Sequence, residues 1–134
     1  MGVPLKVQEL GHVSLFVKDL EASIRFYRDV LGLKDVGRGK NGRIAFFSAG
    51  PHHHDLSIEA ARVDGPERPR GAAGLYHIAF QVGTTREALD AARRWVETHG
   101  LTPFGEMDGR ESASFSIRDP DGHEIELYVD LRAG

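Results

Sequence analysis

The stretch PHHHDLSIEA, at residues 51–60, places three consecutive histidines and an aspartate directly before a β-type run that carries Glu59. Imidazole and carboxylate groups serve as metal ligands and as acid–base catalysts. Three adjacent imidazoles cannot all point at one centre, so a site here needs partners from elsewhere in the chain. The chain has no cysteine, and any metal would therefore be held by histidine, aspartate or glutamate.

The composition bounds the class of protein. The 134 residues are 40% hydrophobic and 28% charged, which is typical of a single globular domain. The formal net charge of −3 argues against a nucleic-acid partner, which normally requires a basic patch. The sequence contains no long apolar run that would span a membrane, and MGVPLKVQELGH lacks the apolar core of a signal peptide. We therefore expect a cytoplasmic protein with no membrane and no nucleic-acid partner.

An internal repeat organises the chain. GHVSLFV at 11–17 resembles YHIAFQV at 76–82, and each is followed by a helical stretch and about three short β-type runs. The segment at 62–74, rich in Gly, Pro and Arg, is typical of a linker. The sequence therefore predicts one domain built from module one at about 8–61 and module two at about 75–131.

Each predicted helix has a start and a stop signal. Asp19 is a candidate N-cap of the first helix and Gly32 closes it. Thr84 and Glu87 have the spacing of a capping box at the start of the second, and Gly100 closes that helix. The predicted apolar stripes are Leu20, Ile24, Tyr27 and Leu31 in the first helix and Ala88, Ala92, Trp95 and Val96 in the second.

The spacing of histidine and glutamate supports a duplication. His12 precedes Glu59 by 47 residues, and His77 precedes Glu126 by 49 residues. Each glutamate is the second residue of an Ile-Glu pair. Alternate residues of a strand face opposite sides of the sheet. The four residues therefore share the face opposite the apolar one, and the two Ile-Glu pairs are predicted to be equivalent.

This polar face could be solvated or could line a cavity. A half-exposed sheet shows the same alternation. Small neighbours at Ser14, Ser57 and Ala79 leave room for a ligand, however, and no Lys or Arg occurs on this face of the four strands. We therefore predict a concave, polar cavity.

Four strings in this order resemble the vicinal oxygen chelate superfamily, which includes glyoxalase I, extradiol dioxygenases and fosfomycin- and bleomycin-resistance proteins. They are GHVSLFVKDLEASIRFYRDVLGL, HHHDLSI, GLYHIAFQV and RDPDGHEIELYVD. The resemblance covers nearly the whole chain and is greatest to the small extradiol-dioxygenase-like branch. It implies an α+β fold in which paired βαβββ modules form a curled, barrel-like mixed sheet around a metal cavity.

The resemblance also implies a ligand set. In the family a histidine on the first strand of each module and a glutamate on the last strand of module two hold one divalent metal, which here implies His12, His77 and Glu126. Two imidazoles and one carboxylate with open positions suit Fe(II), which we favour, and would also take Mn(II), Ni(II), Co(II) or Zn(II). Glyoxalase-like members add a glutamate from the last strand of module one, and Glu59 is the candidate for that fourth ligand.

The resemblance gives His54 a catalytic role. A histidine directly before this strand lies beside the substrate in extradiol dioxygenases and moves a catechol proton, a task that suits imidazole. His52 and His53 have no predicted partner and are assigned to a loop. The chain departs from the dioxygenase pattern at Ser116, where a tyrosine is expected, and lacks a histidine in the preceding turn.

Three functions follow from the resemblance. The leading one is extradiol-type dioxygenation of a catechol-like small molecule. The second is glyoxalase-like isomerase, epimerase or lyase chemistry through a metal-bound enediolate, with Glu59 or Glu126 as base. The third is metal-free binding of a drug, against which the retained histidines and glutamate count.

The resemblance further implies a homodimer with its cavity at the junction of two modules. In the family, modules pair either within a chain or between chains. The linker at 62–74 contains about a dozen residues and at ~3.3 Å per residue could span roughly 40 Å. Its length therefore permits either arrangement.

Overall fold

The computed structural model of the chain describes residues 2–66 and 68–132. It divides into two compact units, Met1–Arg62 and Val63–Gly134, so the boundary falls at the start of the predicted linker. The described residues of 62–74 form neither helix nor strand. Within the part of the chain that is described, no helix is both long and apolar enough to cross a membrane.

The first unit contains one helix and four strands. They are β1 (Val13–Val17), α1 (Leu20–Arg25), β2 (Lys34–Gly39), β3 (Ile44–Ser48) and β4 (Leu56–Ala60). The strands form one open sheet in the order β1-β4-β3-β2. β1 and β4 are parallel, and the other neighbours are antiparallel.

Helix α1 begins and ends as the sequence predicts. The Ala22 amide donates to Asp19 Oδ1 at 3.1 Å, so Asp19 is the N-cap. A wider π-helical turn at Phe26–Val30 extends the helix, and Gly32 follows with a φ of 72°, in the left-handed region that glycine tolerates. The buried core of the unit consists of Leu15, Val17, Ile24, Tyr27, Phe47, Leu56 and Ile58, among others.

The second unit repeats the same order of elements. They are β5 (His77–Gly83), α2 (Arg86–Thr98), β6 (Phe104–Asp108), β7 (Ser112–Arg118) and β8 (Glu124–Asp130). Their sheet has the order β5-β8-β7-β6, again with only the first pair parallel. The prediction of an α+β fold with two βαβββ modules is confirmed, and each four-stranded sheet is open.

Two details of α2 differ from the prediction. The N-cap is Thr85 and not Thr84, because Thr85 Oγ1 accepts from the Ala88 amide at 3.1 Å, the bond that an N-cap makes three residues ahead. Trp95 is 50% exposed, while the neighbouring Val96 is buried. The predicted capping box and the predicted burial of Trp95 are therefore wrong.

Candidate functional site

The first unit brings His12 and His54 together. His12 directly precedes β1, and His54 lies just before β4, which pairs with β1. Their ring centroids are 4.7 Å apart, and the His54 ring lies 5.1 Å from that of Phe46. The imidazole predicted to transfer a proton therefore lies beside one of the predicted metal ligands.

The other two histidines of the run also have partners. His53 Nδ1 lies 2.9 Å from His54 Nδ1, a hydrogen bond in which one ring nitrogen donates to the other. The backbone carbonyl of His52 accepts from Ser48 Oγ at 2.5 Å. Both residues lie in the loop between β3 and β4, as predicted, and the structure gives each a hydrogen-bond partner that the sequence did not indicate. The bond to His53 occupies Nδ1 of His54 and leaves Nε2 as the nitrogen available to a substrate.

The second unit places His77 and Glu126 on one face of adjacent strands. His77 pairs with Glu124 across the β5–β8 ladder, and Ala79 pairs with Glu126. Glu124 Oε2 lies 3.4 Å from His77 Nδ1, yet that buried nitrogen makes no hydrogen bond. A carboxylate beside the second nitrogen of an imidazole is the arrangement that orients a metal-binding histidine.

A cavity of about 410 Å³ lies on this same face. Its lining includes three acidic side chains, Glu111, Glu126 and Asp130, and one basic side chain, Arg132. Arg132 Nη2 lies 2.9 Å from Asp130 Oδ2, and hydrogen bonding to Arg132 lowers the pKa of Asp130 to about 2. The remaining carboxylates leave an excess of negative charge that favours a cation.

Glu59 and Glu126 differ in what surrounds their carboxylates. Glu59 is only 7% exposed; Lys40 Nζ lies 3.0 Å from its Oε1 and Arg62 Nη2 lies 3.0 Å from its Oε2. The hydrogen bonds from Lys40 and then from Arg62 hold the pKa of Glu59 below its usual range. Among the residues that the structure describes, no hydrogen bond or ion pair engages the carboxylate of Glu126.

The strand registers show that Glu59 is not the counterpart of Glu126. In the first unit Ser14, which lies two residues after His12, pairs with Ser57. Phe16 pairs with Glu59. In the second unit Ala79, which lies two residues after His77, pairs with Glu126. Ser57 therefore corresponds to Glu126, and the predicted equivalence of the two Ile-Glu pairs is wrong by two residues, about 6.6 Å along a strand.

The sequence reasoning missed Lys40 and Arg62. Both lie outside the strands, so the observation that no Lys or Arg occurs on the polar face of those strands did not include them. Asn41-Gly42 could have indicated Lys40, because this dipeptide is typical of a tight turn between paired strands. The short turn after Lys40 joins β2 to β3, and β3 pairs with the strand of Glu59.

The predicted metal ligands are divided between the units, with His12 in the first and His77 and Glu126 in the second. Within neither unit do the described residues bring three His, Asp or Glu side chains into one metal-binding group. The donors of the second unit nevertheless fit a divalent cation, because no described residue engages the Glu126 carboxylate and the Glu124 carboxylate lies beside Nδ1 of His77, where it would orient the ring. The ion would then be held through Nε2 of His77.

Comparison with known proteins agrees with the fold. The model of the glyoxalase/bleomycin resistance protein/dioxygenase superfamily matches residues 9–127. The chain belongs to this superfamily. A solved structure of a glyoxalase/dioxygenase from Nostoc punctiforme has the same fold, with a TM-score of 0.80, 22% identity and coverage of 97% of this chain and 96% of that chain.

Relatives in the superfamily differ in activity. The chain is 33% identical to a glutathione transferase FosA of Serratia marcescens, covering 92% of this chain and 82% of that protein. It is 31% identical to a lactoylglutathione lyase of Escherichia coli, covering 93% and 95%. It is 34% identical to an iron-dependent extradiol dioxygenase of Rhodococcus jostii, covering 93% of this chain but only 44% of that protein.

Proposed function

We propose that the protein binds one divalent metal ion through His12, His77 and Glu126 and acts as an extradiol-type dioxygenase on a catechol-like small molecule. The observation that carries this proposal is the strand register that puts Ser57, and not Glu59, at the position equivalent to Glu126. A set of two histidines and one carboxylate with open positions is typical of non-haem Fe(II) oxygenases. Fe(II) is therefore the favoured metal, with Mn(II), Ni(II), Co(II) or Zn(II) as alternatives.

Glu59 stays outside the proposed ligand set. Its two carboxylate oxygens each accept from a different cation, Lys40 and Arg62. A metal bound through this carboxylate would lie close to both cations, and their positive charges would oppose it. Three protein donors leave room for a substrate with two adjacent oxygens and for a further small molecule.

His54 is the proposed acid–base group. When bound, the metal supplies Lewis acidity toward two adjacent substrate oxygens. In this role His54 Nδ1–H donates to His53 Nδ1, which leaves Nε2 without a hydrogen and able to accept the proton of a substrate hydroxyl. The neighbouring Phe46 ring holds the imidazole from a second side.

Redox-neutral isomerase, epimerase or lyase chemistry is the second candidate. The chain spans 95% of the lactoylglutathione lyase but less than half of the iron-dependent dioxygenase. In this case a carboxylate of the site, Glu126 or Glu59, would act as base. Metal-free drug binding is a weaker third candidate, because a binder does not need the two histidines and Glu126.

Oxygen consumption separates the first two candidates. Protein loaded anaerobically with Fe(II) is mixed with a panel of catechols, and oxygen uptake and ring cleavage are measured. In parallel, the same protein receives a hemithioacetal. We expect uptake with at least one catechol; turnover of the hemithioacetal with no uptake from any catechol would instead establish the redox-neutral function.

A further inference from the structure

Lys40, Glu59 and Arg62 form a cationic cluster at one end of the first unit's polar face. Lys40 lies in the turn between β2 and β3, and Arg62 lies two residues beyond β4. Lys40 Nζ donates to Glu59 Oε1 at 3.0 Å, while Arg62 Nη2 and Nε reach Oε2 at 3.0 and 3.3 Å. The cluster has two positive charges and one negative charge.

The two cations keep donors free for a further partner. An ammonium has three donors and a guanidinium has five. Glu59 takes one from Lys40 and two from Arg62, and the two side chains are 56% and 58% exposed. The cluster can therefore accept an additional anion from solvent without losing its internal ion pairs.

Lys40 has a backbone conformation that is unusual for a lysine. Its φ is 50°, in the left-handed region, and Asn41 and Gly42 follow with φ values of 57° and 86°. Asn and Gly tolerate this conformation, whereas for a lysine it is strained.

An exposed aromatic ring lies against the cluster. Phe16 is 56% exposed, and the Arg62 guanidinium carbon lies 5.5 Å from its ring centroid. Phe16 pairs with Glu59 across the β1–β4 ladder. A planar apolar group with an anionic end would contact the ring and the cations together.

We propose that Lys40, Arg62 and Phe16 bind the carboxylate end of an aromatic-acid substrate and thereby set substrate specificity. The identity of the other end of the substrate rests on the proposed function, which makes it a catechol ring that lies toward His12. Phe16 is four residues beyond His12, roughly 13 Å along the strand. A catechol with a carboxylated side chain bridges this span with the help of the long Lys40 and Arg62 side chains, and Glu59 holds the two cations together when no substrate is bound.

Binding to the metal-free protein tests the anion site without any activity. Calorimetry compares hydrocinnamate, which has an aromatic ring and a carboxylate but no catechol oxygens, with its neutral amide. We expect wild-type protein to bind the acid more tightly than the amide. Lys40→Gln and Arg62→Gln should each weaken binding of the acid by about 3–10-fold and leave the amide unchanged, whereas the control Lys34→Gln, at an exposed lysine of β2, should change neither.

Glu59→Gln should strengthen the binding of hydrocinnamate, in contrast to the two cation variants. The amide keeps an acceptor for Lys40 and Arg62 but removes the competing negative charge, so hydrocinnamate should bind several-fold more tightly. Equal affinity of wild-type protein for acid and amide, or unchanged affinity in both cation variants, would overturn the proposal. Inorganic phosphate binding as tightly as hydrocinnamate would overturn the role of Phe16.

An activity measurement keeps this proposal separate from the proposed function. The Fe(II)-loaded protein is assayed with dihydrocaffeate and with the neutral ethylcatechol. Loss of kcat/KM for dihydrocaffeate alone in the Lys40 and Arg62 variants supports the anion site, and equal loss for both substrates contradicts it. If wild-type protein turns over neither catechol, the dioxygenase function fails, and the hydrocinnamate measurements still decide the anion site.

Discussion

The imidazole rings of His12 and His54 lie with their centroids 4.7 Å apart in the first unit. His12 is a proposed metal ligand, and His54 is the proposed acid–base group. The two residues thus have separable roles, one in holding the metal and the other in moving a proton. Substitution of each should give a different phenotype.

Replacing His54 with Asn should lower kcat/KM by about 10²–10⁴-fold, the usual contribution of a general acid–base group, while metal content stays at the wild-type level. Metal analysis and oxygen uptake on the same sample measure both. His52→Asn is the matched control, because the His52 side chain is exposed and only its backbone carbonyl is engaged. Loss of metal in the His54 variant would contradict its assignment as a proton carrier.

Replacing His12, His77 or Glu126 with Ala should remove most of the bound metal, because two donors hold a divalent ion weakly. Glu59→Gln should retain full occupancy, since Lys40 and Arg62 already engage that carboxylate. Anaerobic purification without chelator, followed by elemental analysis, gives the stoichiometry. If Glu59→Gln loses as much metal as Glu126→Ala, Glu59 is a fourth ligand.

The stability of the second unit should depend on the charge of His123. A hydrogen bond from its Nδ1 to the buried Asp119 carboxylate, at 2.8 Å, raises the pKa of His123 above 6.5, partly offset by burial. The stabilisation is therefore fully present below about pH 6.5 and is lost as the pH rises through the raised folded-state pKa. The free energy of unfolding, measured in urea between pH 5.5 and 9, should fall in this way in wild-type protein and fall less in His123→Gln. If the two proteins lose the same amount over this range, the pair contributes nothing.

We expect the protein to be a homodimer. Each sheet is open, with β1 and β2 or β5 and β6 at its edges, and unpaired edges are normally covered in a folded protein. The alternate side chains of Val3, Leu5 and Val7 are also 75–94% exposed. Light scattering at low protein concentration measures the mass, and a monomer would refute this prediction.

If modules pair between chains, two inactive variants should complement each other. A His12→Ala subunit lacks the ligand of the first unit, and a Glu126→Ala subunit lacks a ligand of the second. Exchange rebuilds one intact site in each mixed dimer, so unfolding and refolding the two together should restore part of the activity. No regained activity on mixing would exclude exchange and leave the dimer untouched.

Local signals in the sequence predicted most of the fold. The repeated strand–helix–strand order, the N-cap at Asp19 and the closing glycines at 32 and 100 are confirmed. The N-cap of α2 was placed one residue too early because Thr84 and Thr85 are adjacent and both are good N-cap residues. Only the folded structure shows which of the two hydroxyls reaches the Ala88 amide.

The candidate site was less predictable because it depends on pairing between distant residues. The equivalent residues are 45 positions apart in the first unit, from His12 to Ser57, and 49 apart in the second, from His77 to Glu126, so spacing along the chain did not give the register. A shift of two keeps the side chain on the same face, so alternation alone could not reveal that Glu59 had moved along the sheet. The ion pairs with Lys40 and Arg62 arise from a turn and from the chain beyond β4, where periodicity carries no information.

The two sheets have the same backbone arrangement but carry different side chains, a serine and a glutamate, at one equivalent position. Ser57 and Glu126 occupy matching places in their sheets, and Ser57 is hydrogen-bonded to Ser14 and buried. Under the proposed ligand set, Ser57→Glu would put a fourth donor at the place that Glu126 occupies in the second sheet. For protein engineers this serine is the position at which to test a shift from the proposed oxygenase chemistry toward the isomerase alternative.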